Sequence, residues 1–270
     1  MKFTSVAAGL LAVLSLDAVA AAASTAQCSS YISYQIINLY KSGSVFSNPN
    51  NCAKDLGGLG YTAGFVKFST KRGDLFQVVD AFKQTASYKG EFDAYYSTLE
   101  KYASKHSGST QNLDGLCNVW YNATTNPDFY TLQAKVAQRL YEIPSHNYGS
   151  SLGVQYSLTY AVLYDTAIDN GLSGTANSLS DLILKTNNSF KKSATSDSGS
   201  TLKINGLKID EMIWLKKFLS FRLAANGYGD QAHVNTYLYI IDSGEYNWNP
   251  SVKILDPSGK TKTIDCKAIL

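Results

Sequence analysis

The sequence lacks the features that mark a nucleic-acid-binding or membrane-spanning protein. Its 24 Lys and Arg against 21 Asp and Glu leave a net charge of only +3, and no dense basic block is present. Nucleic-acid binders usually gather a larger excess on one face. After the N-terminal segment, no apolar run approaches the roughly 20 residues of a membrane span. Because 44% of the 270 residues are apolar, the chain can bury a core. We expect a soluble monomer that binds neither nucleic acid nor membrane.

Residues 1–23 have the layout of a secretory signal peptide. Lys2 precedes a short apolar centre, Gly9–Leu16, and an alanine-rich segment then supplies the small residues of a cleavage site. A buried N-terminal helix is the alternative, but the apolar centre is short for one. We place the cut near Ala22–Ser24 and therefore predict a secreted, extracellular domain over residues 24–270.

Cysteine is scarce, and every cysteine follows the predicted cut. The four are Cys28, Cys52, Cys117 and Cys266. Export to an oxidising compartment favours two disulfides, and three pairings are possible. We favour Cys28 with Cys266, which would clasp both ends of the mature chain, and Cys52 with Cys117. No C-x-x-C occurs, and we place the three histidines at the surface or in loops, so we expect no metal and no cofactor.

Two tripeptides match the acceptor pattern for N-glycosylation. Asn122 begins Asn-Ala-Thr, and Asn187 begins Asn-Asn-Ser. Acceptor sites of this kind lie on the surface of secreted proteins. We therefore expect both asparagines on exposed loops.

The pattern of apolar residues is mainly helical. Apolar residues recur every three or four positions, as on the buried face of a helix. Helices are predicted at about 30–41, 75–82, 92–103, 126–143, 151–169, 176–185, 208–225 and 231–242. The helix that begins at Asn126 should end before Pro144, and Asp74 should cap the helix that follows it. Strands are predicted only at Tyr61–Ser69 and Val252–Ile264, and 192–202 reads as a polar loop.

A glycine-rich stretch at residues 54–74 is the most informative part of the sequence. Four glycines fall within residues 57–64, so the backbone there can turn sharply and approach a ligand closely. The stretch lacks the Gly-Lys-Ser/Thr ending of a phosphate-binding loop. A hairpin without a ligand is the plainer alternative.

This stretch resembles the signature of the glycoside hydrolase family 46 chitosanases. The resemblance rests on Gly60-Tyr-Thr-Ala-Gly64, then Phe68 and Gly73-Asp74 before an apolar helix. Further segments follow in the order of the family. They are Asp128-Phe, Gln133–Tyr141, Pro144-Ser145, Leu152-Gly153, Leu163–Gly171, Trp214–Arg222 and Ser243–Trp248.

The resemblance implies a mainly α, lysozyme-like α+β fold. Two helical lobes would flank a substrate cleft, with a small β-hairpin or sheet near residues 58–70. It also implies hydrolysis of β-1,4 bonds in chitosan or a related amino-sugar polymer, with inversion. That reaction needs a carboxylic acid and a carboxylate about 6.5–9.5 Å apart.

The family's catalytic carboxylates do not match. Its acid belongs at the end of the first mature helix, where this chain reads Tyr40–Val45, with Lys41 near the expected position. Its base is the aspartate of Gly-Asp-Gly-Arg-Gly, where this chain has Gly57–Gly60. Between residues 18 and 73 the sole carboxylate is Asp55. Asp55 has three interpretations: a displaced catalytic base, a partner for a cation, or a turn cap.

Other family roles carry over by the same resemblance. Thr62 matches the threonine that orients the attacking water, so Asp55 and Thr62 are the catalytic candidates. Asp74 matches a carboxylate that binds a glucosamine ammonium, and Tyr61 is the second substrate-binding candidate. Asp165 and Arg222 match a structural ion pair between central helices.

Two functions follow from these observations. One is a secreted chitosanase-like glycoside hydrolase that acts on or binds glucosamine polymers. The other is a non-catalytic carbohydrate-binding or cell-surface protein that kept the cleft and lost the acid and base. The slight positive charge favours the second, because an acidic cleft attracts a polycation better.

Overall fold

The computed structural model describes residues 16–196, 198–248 and 250–266. Its helices are α1 Leu16–Ser42, α2 Asp74–Lys83, α3 Asp93–Ser104, α4 Leu116–Ala123, α5 Pro127–Ala137, α6 Ile143–Leu152, α7 Ser157–Asn170, α8 Leu179–Ser189, α9 Glu211–Asn226 and α10 Gln231–Ser243. Its strands are β1 Cys52–Lys54, β2 Tyr61–Ala63, β3 Phe68–Ser69, β4 Thr201–Ile204, β5 Leu207–Asp210, β6 Ser251–Leu255 and β7 Thr261–Asp265. The predicted fold class, mainly helical with small antiparallel sheets, is confirmed.

The first lobe is built on aromatic residues. Helices α2 to α5 enclose Phe82, Phe92, Trp120 and Phe129, all fully buried. The Phe82 and Phe129 ring centroids lie 4.7 Å apart, and those of Trp120 and Phe129 lie 4.9 Å apart. Such tilted and edge-to-face pairs add stabilisation beyond the area they bury. The antiparallel sheet β1-β2-β3 covers this lobe, and the Cys52–Cys117 disulfide joins β1 to α4.

The second lobe surrounds α7. This helix is buried on nearly every face from Leu158 to Ile168, as expected for a central helix. Helices α1 and α8 pack on it, and α9 and α10 complete the lobe with the hairpins β4-β5 and β6-β7. The Cys28–Cys266 disulfide joins α1 to the residue after β7. Both disulfides follow the pairing favoured from the sequence.

The helix that begins near Asn126 ends before Pro144, as predicted, but the chain stays helical beyond it. After α5, one π-helical turn over Gln138–Glu142 leads directly into α6. Pro144 lies in the first turn of α6, where a missing N–H leaves no hydrogen bond unmade. The proline therefore stands at the start of a new helix and not inside α5.

The strands also differ from their predicted bounds. Tyr61–Ser69 is two strands, β2 and β3, joined by a turn, and 252–264 is a hairpin. The predicted polar loop 192–202 ends in strand β4, which pairs with β5 through Asn205 and Gly206. Both turn residues have positive φ, 51° and 80°.

The predicted signal peptide lies only partly within the described residues. Residues 1–15 fall outside them, and α1 begins at Leu16 and runs past the predicted cut. The signal peptide and the mature start near residue 24 stay predictions. Among the described helices, none combines the length and hydrophobicity needed to cross a bilayer.

Candidate functional site

A cleft of about 630 Å³ lies between the two lobes, and we call it the polar arm. The last turn of α1 supplies Tyr40 and Lys41, and α7 supplies Asp169 from the second lobe. The first lobe supplies residues of the sheet and of the turn after β2. They include Asp55, Leu59, Thr62, Val66, Lys67 and Arg72. The cleft is therefore lined by charged groups of both signs.

Strand alternation places Thr62 in the polar arm. Tyr61 and Ala63 point into the core, and the residue between them points to the other face of the sheet. The same geometry removes Tyr61 from the cleft, because its side chain is only 9% exposed. The two catalytic candidates, Asp55 and Thr62, therefore lie in one cleft.

Asp55 follows β1 and caps the glycine turn. Its backbone N–H donates to the Gly60 carbonyl at 2.7 Å, and its Oδ2 accepts from the Leu59 N–H at 2.9 Å. Within the described part of the chain no cation pairs with Asp55, and its Oδ1 has no hydrogen-bond partner. Of the three interpretations, the turn cap is observed directly, and the open Oδ1 leaves a role in the cleft possible.

Gly57 is adjacent to this carboxylate in space. A Cβ built on Gly57 would lie 3.2 Å from Asp55 Oδ2. The side chain of Asp55 therefore occupies the region into which a side chain at position 57 would extend. Gly57 begins the segment Gly57–Gly60, in which the position of the family's base is either lost or filled by a glycine.

Gly60 has no room for a side chain, which gives a prediction. A Cβ at Gly60 would lie 1.9 Å from Thr70 Oγ1, which accepts from the Tyr61 N–H and donates to the Leu59 carbonyl. Gly58 shares the positive φ, 87° against 82°, but has nothing within 4 Å. Gly60→Ala should lower the free energy of unfolding by about 1–3 kcal/mol more than Gly58→Ala, because it alone disrupts two hydrogen bonds.

The comparison is made by urea unfolding of the two variants. Both variants place alanine at a similar positive φ, so their difference reports the contacts of a Cβ at Gly60, with Thr70 Oγ1 and with the Gly108 carbonyl oxygen at 3.2 Å. Equal losses in the two variants would show that the turn shifts freely and that these contacts do not hold it.

Lys41 is fixed by two carboxylates of α7. Its Nζ pairs with Asp169 and lies 3.8 Å from Asp165 Oδ1, and its side chain is 10% exposed. These contacts join the end of α1 to α7 across the floor of the cleft.

Arg222 on α9 lies behind Lys41 and is fully buried. It donates to Asp165 Oδ2 at 2.6 Å, so the ion pair expected from the resemblance is present. It also pairs with Asp230 Oδ2 at 2.7 Å and Asp169 Oδ2 at 3.1 Å. Burial alone would lower its pKa, but the three carboxylates raise the pKa well above its ordinary value. Asp169 therefore bridges Lys41 and Arg222 in one charge network.

His233 also contacts this charge network. It lies in α10, 5% exposed, so its predicted place at the surface or in a loop was wrong. Its ring stacks on Tyr40 with centroids 4.2 Å apart, and its Nε2 lies 3.2 Å from Asp165 Oδ2. Burial, then the Arg222 and Lys41 charges, lower its pKa well below the usual value, so it is neutral.

The spacing of Asp165, Asp169 and His233 would also suit a metal ion. Both aspartates already bind Lys41 and Arg222. A divalent ion would therefore meet two resident cations within the same cluster. We assign the cluster to ion pairing.

Asp74 lies behind the cleft rather than in it. Its carboxylate is buried and accepts from the Ser69 and Leu75 N–H groups at 2.6 and 3.0 Å. It also accepts from Arg72 Nε at 3.2 Å and from the Tyr141 hydroxyl. The predicted contacts of Asp74 and Tyr61 with substrate stay predictions. In the structure, Asp74 positions Arg72, which does line the cleft.

The two glycosylation candidates lie in helices, so their predicted place in loops was wrong. Asn122 is in the last turn of α4 and is exposed. Asn187 is in α8 and half-buried, and its Oδ1 accepts from Trp214 Nε1 at 2.8 Å. The two asparagines therefore differ in accessibility, and glycosylation of either one stays a prediction.

The chain is similar in sequence to proteins of one known family. Residues 41–240 match the model of glycosyl hydrolase family 46. The chain belongs to this family. It is 32% identical over 165 residues to the chitosanase of Bacillus subtilis strain 168, covering 61% of this chain and 55% of that protein. The match thus spans about half the length of that relative.

Solved structures show the same fold. The native chitosanase from Bacillus subtilis MY002 superposes with a TM-score of 0.77 at 24% identity, covering 88% of this chain and 99% of that one. The family 46 chitosanase of Gynuella sunshinyii, in complex with chitotetraose, gives 0.77 at 23%, covering 88% and 98%. A glutamate-to-alanine mutant of the MY002 enzyme, complexed with six glucosamine units, gives 0.77 at 25%, covering 88% and 99%.

Proposed function

We propose that this family 46 protein binds a β-1,4-linked glucosamine polymer in the polar arm and does not hydrolyse it. The observation that carries the proposal is the ion pairing of Lys41 with Asp169 and Asp165. It places a fixed cation at the end of α1, where the resemblance expects a carboxylic acid. The protein therefore has the cleft that the resemblance implies but no proton donor at the end of α1.

The remaining carboxylates of the polar arm do not replace the missing pair. Inverting hydrolysis needs one protonated carboxyl group and one carboxylate on opposite sides of the sugar. The polar arm is lined by Asp55, Asp169 and Asp230. Asp169 and Asp230 are ion-paired with Arg222. Asp55 alone faces the cleft without a cation among the described residues, and one group cannot act as both acid and base.

Asp55 suits the binding of an amino sugar. Its Oδ1 is open to the cleft, and a carboxylate that receives an ammonium forms a charge-assisted hydrogen bond, among the stronger kinds. Thr62 in the same arm offers a hydroxyl. Relatives with this fold are complexed with chitotetraose and with glucosamine units, which supports the same class of ligand here.

A second candidate function is hydrolysis with Asp55 as a displaced base. It is favoured by the 3.2 Å between Asp55 Oδ2 and a Cβ built on Gly57, which brings the carboxylate close to the expected site of the base. It ranks second because the described residues of the polar arm offer no free acid.

One experiment separates the two functions. The purified protein is titrated with a glucosamine hexamer by calorimetry, and reducing ends are measured after incubation with chitosan. We expect binding without new reducing ends. Asp55→Asn should weaken the binding about tenfold, the loss expected from one charge-assisted contact.

Asp114→Asn is the matched control, because Asp114 is exposed and lies outside the cleft. It should leave the affinity unchanged. Reducing ends that vanish in Asp55→Asn would overturn the binding-only proposal and establish the displaced base. Failure of the wild-type protein to bind the hexamer would overturn both functions.

We infer that the protein acts outside the cell as a monomer. The signal-peptide pattern of residues 1–23 supports export. The two disulfides, Cys28–Cys266 and Cys52–Cys117, support an oxidising compartment. A wall or matrix polysaccharide would be accessible to the cleft there.

A further inference from the structure

A second cavity between the two lobes differs from the polar arm in position and in chemistry. Its volume is about 460 Å³, within the range of ligand pockets. The second lobe contributes residues of α1 and α7 to its wall, and the first lobe contributes residues of α5 and of the turn after β2. Of the described residues that line it, only Val66 also lines the polar arm. We call it the aromatic cavity.

Aromatic rings form much of the wall of this cavity. Six of its lining residues are aromatic, and none of the lining residues that the structure describes is charged. A flat aromatic molecule packs on such rings by stacking and by edge-to-face contacts. A charged ligand would lose its water there without meeting a counter-charge. The six are Tyr31, Tyr34, Phe46, Phe65, Tyr130 and Tyr164.

The Tyr164 hydroxyl is a buried donor without an acceptor in the described part of the chain. Tyr164 is only 3% exposed, and no described residue forms a hydrogen bond with its hydroxyl. Burial, above all, raises the pKa of Tyr164 well above its ordinary value, so the hydroxyl keeps its proton. Buried polar groups nearly always have a partner, because an unmade hydrogen bond is costly. Since Tyr164 lines the cavity, a molecule bound there can supply the acceptor.

Two other polar donors of the lining are already engaged with the protein. The Tyr34 hydroxyl donates to Glu142 Oε2 at 2.7 Å, and Gln35 Nε2 donates to the Asp265 carbonyl at 2.7 Å. A sugar ring brings several hydroxyls, and this lining would leave some of them without a partner in place of water. The cavity therefore suits a ligand with one acceptor better than it suits a sugar.

We propose that the aromatic cavity binds a small, uncharged aromatic molecule whose carbonyl oxygen accepts a hydrogen bond from Tyr164. The rings of the lining contact the faces and edges of the ligand, and the Tyr164 hydroxyl fixes its orientation. Because residues of both lobes line the cavity, the ligand contacts both lobes. This site is independent of the proposed function, since it requires no sugar in the polar arm.

The test is a fluorescence titration with Prodan, an uncharged naphthalene dye that carries one ketone. The emission of this dye shifts to shorter wavelength when it moves from water to an apolar site, so the shift reports binding. We expect saturation at one dye per protein. The glucosamine hexamer and the anion naphthalene sulfonate should not displace the bound dye.

Tyr164→Phe tests the hydrogen bond, because it removes the hydroxyl and keeps the ring. It should weaken Prodan binding about tenfold, the loss expected from one hydrogen bond. Ethylnaphthalene has no acceptor, so its affinity, measured by displacement of Prodan, should agree within about twofold between the wild type and Tyr164→Phe.

Ala134→Trp tests the location of the site. Ala134 is an exposed residue of α5 that lines the cavity, so a large ring there blocks the entrance without disturbing the core. This variant should bind Prodan at least about tenfold more weakly. Ala224→Trp is the matched control, because Ala224 is exposed on α9 and lies outside the lining. It should bind as the wild type does.

Several results would overturn the inference. They are no emission shift with the wild type, displacement of the dye by the hexamer, wild-type affinity in Ala134→Trp, or equal losses for Prodan and ethylnaphthalene in Tyr164→Phe. None of them bears on the calorimetric titration of the hexamer in the absence of dye. The proposed function therefore stands or fails separately.

Discussion

Arg222→Met is expected to lower the free energy of unfolding by about 3–5 kcal/mol. The guanidinium is fully buried and pairs with Asp165, Asp169 and Asp230. Removing it leaves two carboxylates with low exposure and without their main counter-charge, and burial makes that loss large. The change is measured by urea unfolding at neutral pH.

The control is Arg139→Met, because the Arg139 guanidinium is exposed and donates to Gln77 Oε1 at 3.1 Å. That variant should change stability by less than about 1 kcal/mol. Adding Asp165→Asn to Arg222→Met should recover part of the loss, since it removes one unpaired charge. Similar losses in Arg222→Met and Arg139→Met would show that the network does not hold the second lobe together.

Much of the fold could be predicted from local patterns. The apolar spacing around Leu75 and Phe82 predicted α2, and residues 231–242 coincide with α10 to within one residue. Such helices depend on residues close together in the sequence, and the spacing of apolar residues along the chain therefore indicates them directly.

The hairpin β4-β5 was missed although its signal was present. Asn205-Gly206 stands between two strands, and Asn-Gly between alternating apolar residues is a strong signal for a two-residue turn. Leu202 and Ile204 are buried while the residues between and before them are exposed. The serine-rich segment that precedes them obscured the pattern.

The site was only partly predictable. Asp55 and Thr62 were expected together and do lie in one cleft. The pairing of Lys41 with Asp169 was not foreseen, because 128 residues separate them and neither belongs to a motif that relates their positions. His233 was missed for the same reason, since a single histidine carries no spacing information.

The contacts of Lys41 suggest how hydrolysis could be introduced. Glutamate at position 41 would face Asp169 and Asp165, and nearby like charges raise the pKa of a carboxyl group, which a general acid needs. Aspartate at position 57 meets no positive-φ strain and emerges beside Asp55. We expect the double variant Lys41→Glu, Gly57→Asp to release reducing ends from chitosan at least about 100-fold faster than the background release measured with the wild type.

Two controls isolate the roles of the introduced groups. Lys41→Gln with Gly57→Asp has the base but no acid, and Lys41→Glu with Gly58→Asp places the second carboxylate one residue away, at a positive φ. Both should stay near the wild-type rate, because acid and base must act together. If repulsion from Asp169 unfolds the double variant, adding Asp169→Asn removes one of the two facing charges. A folded, chitosan-binding variant that releases no reducing ends would show that the loss of activity lies elsewhere in the cleft, not at positions 41 and 57.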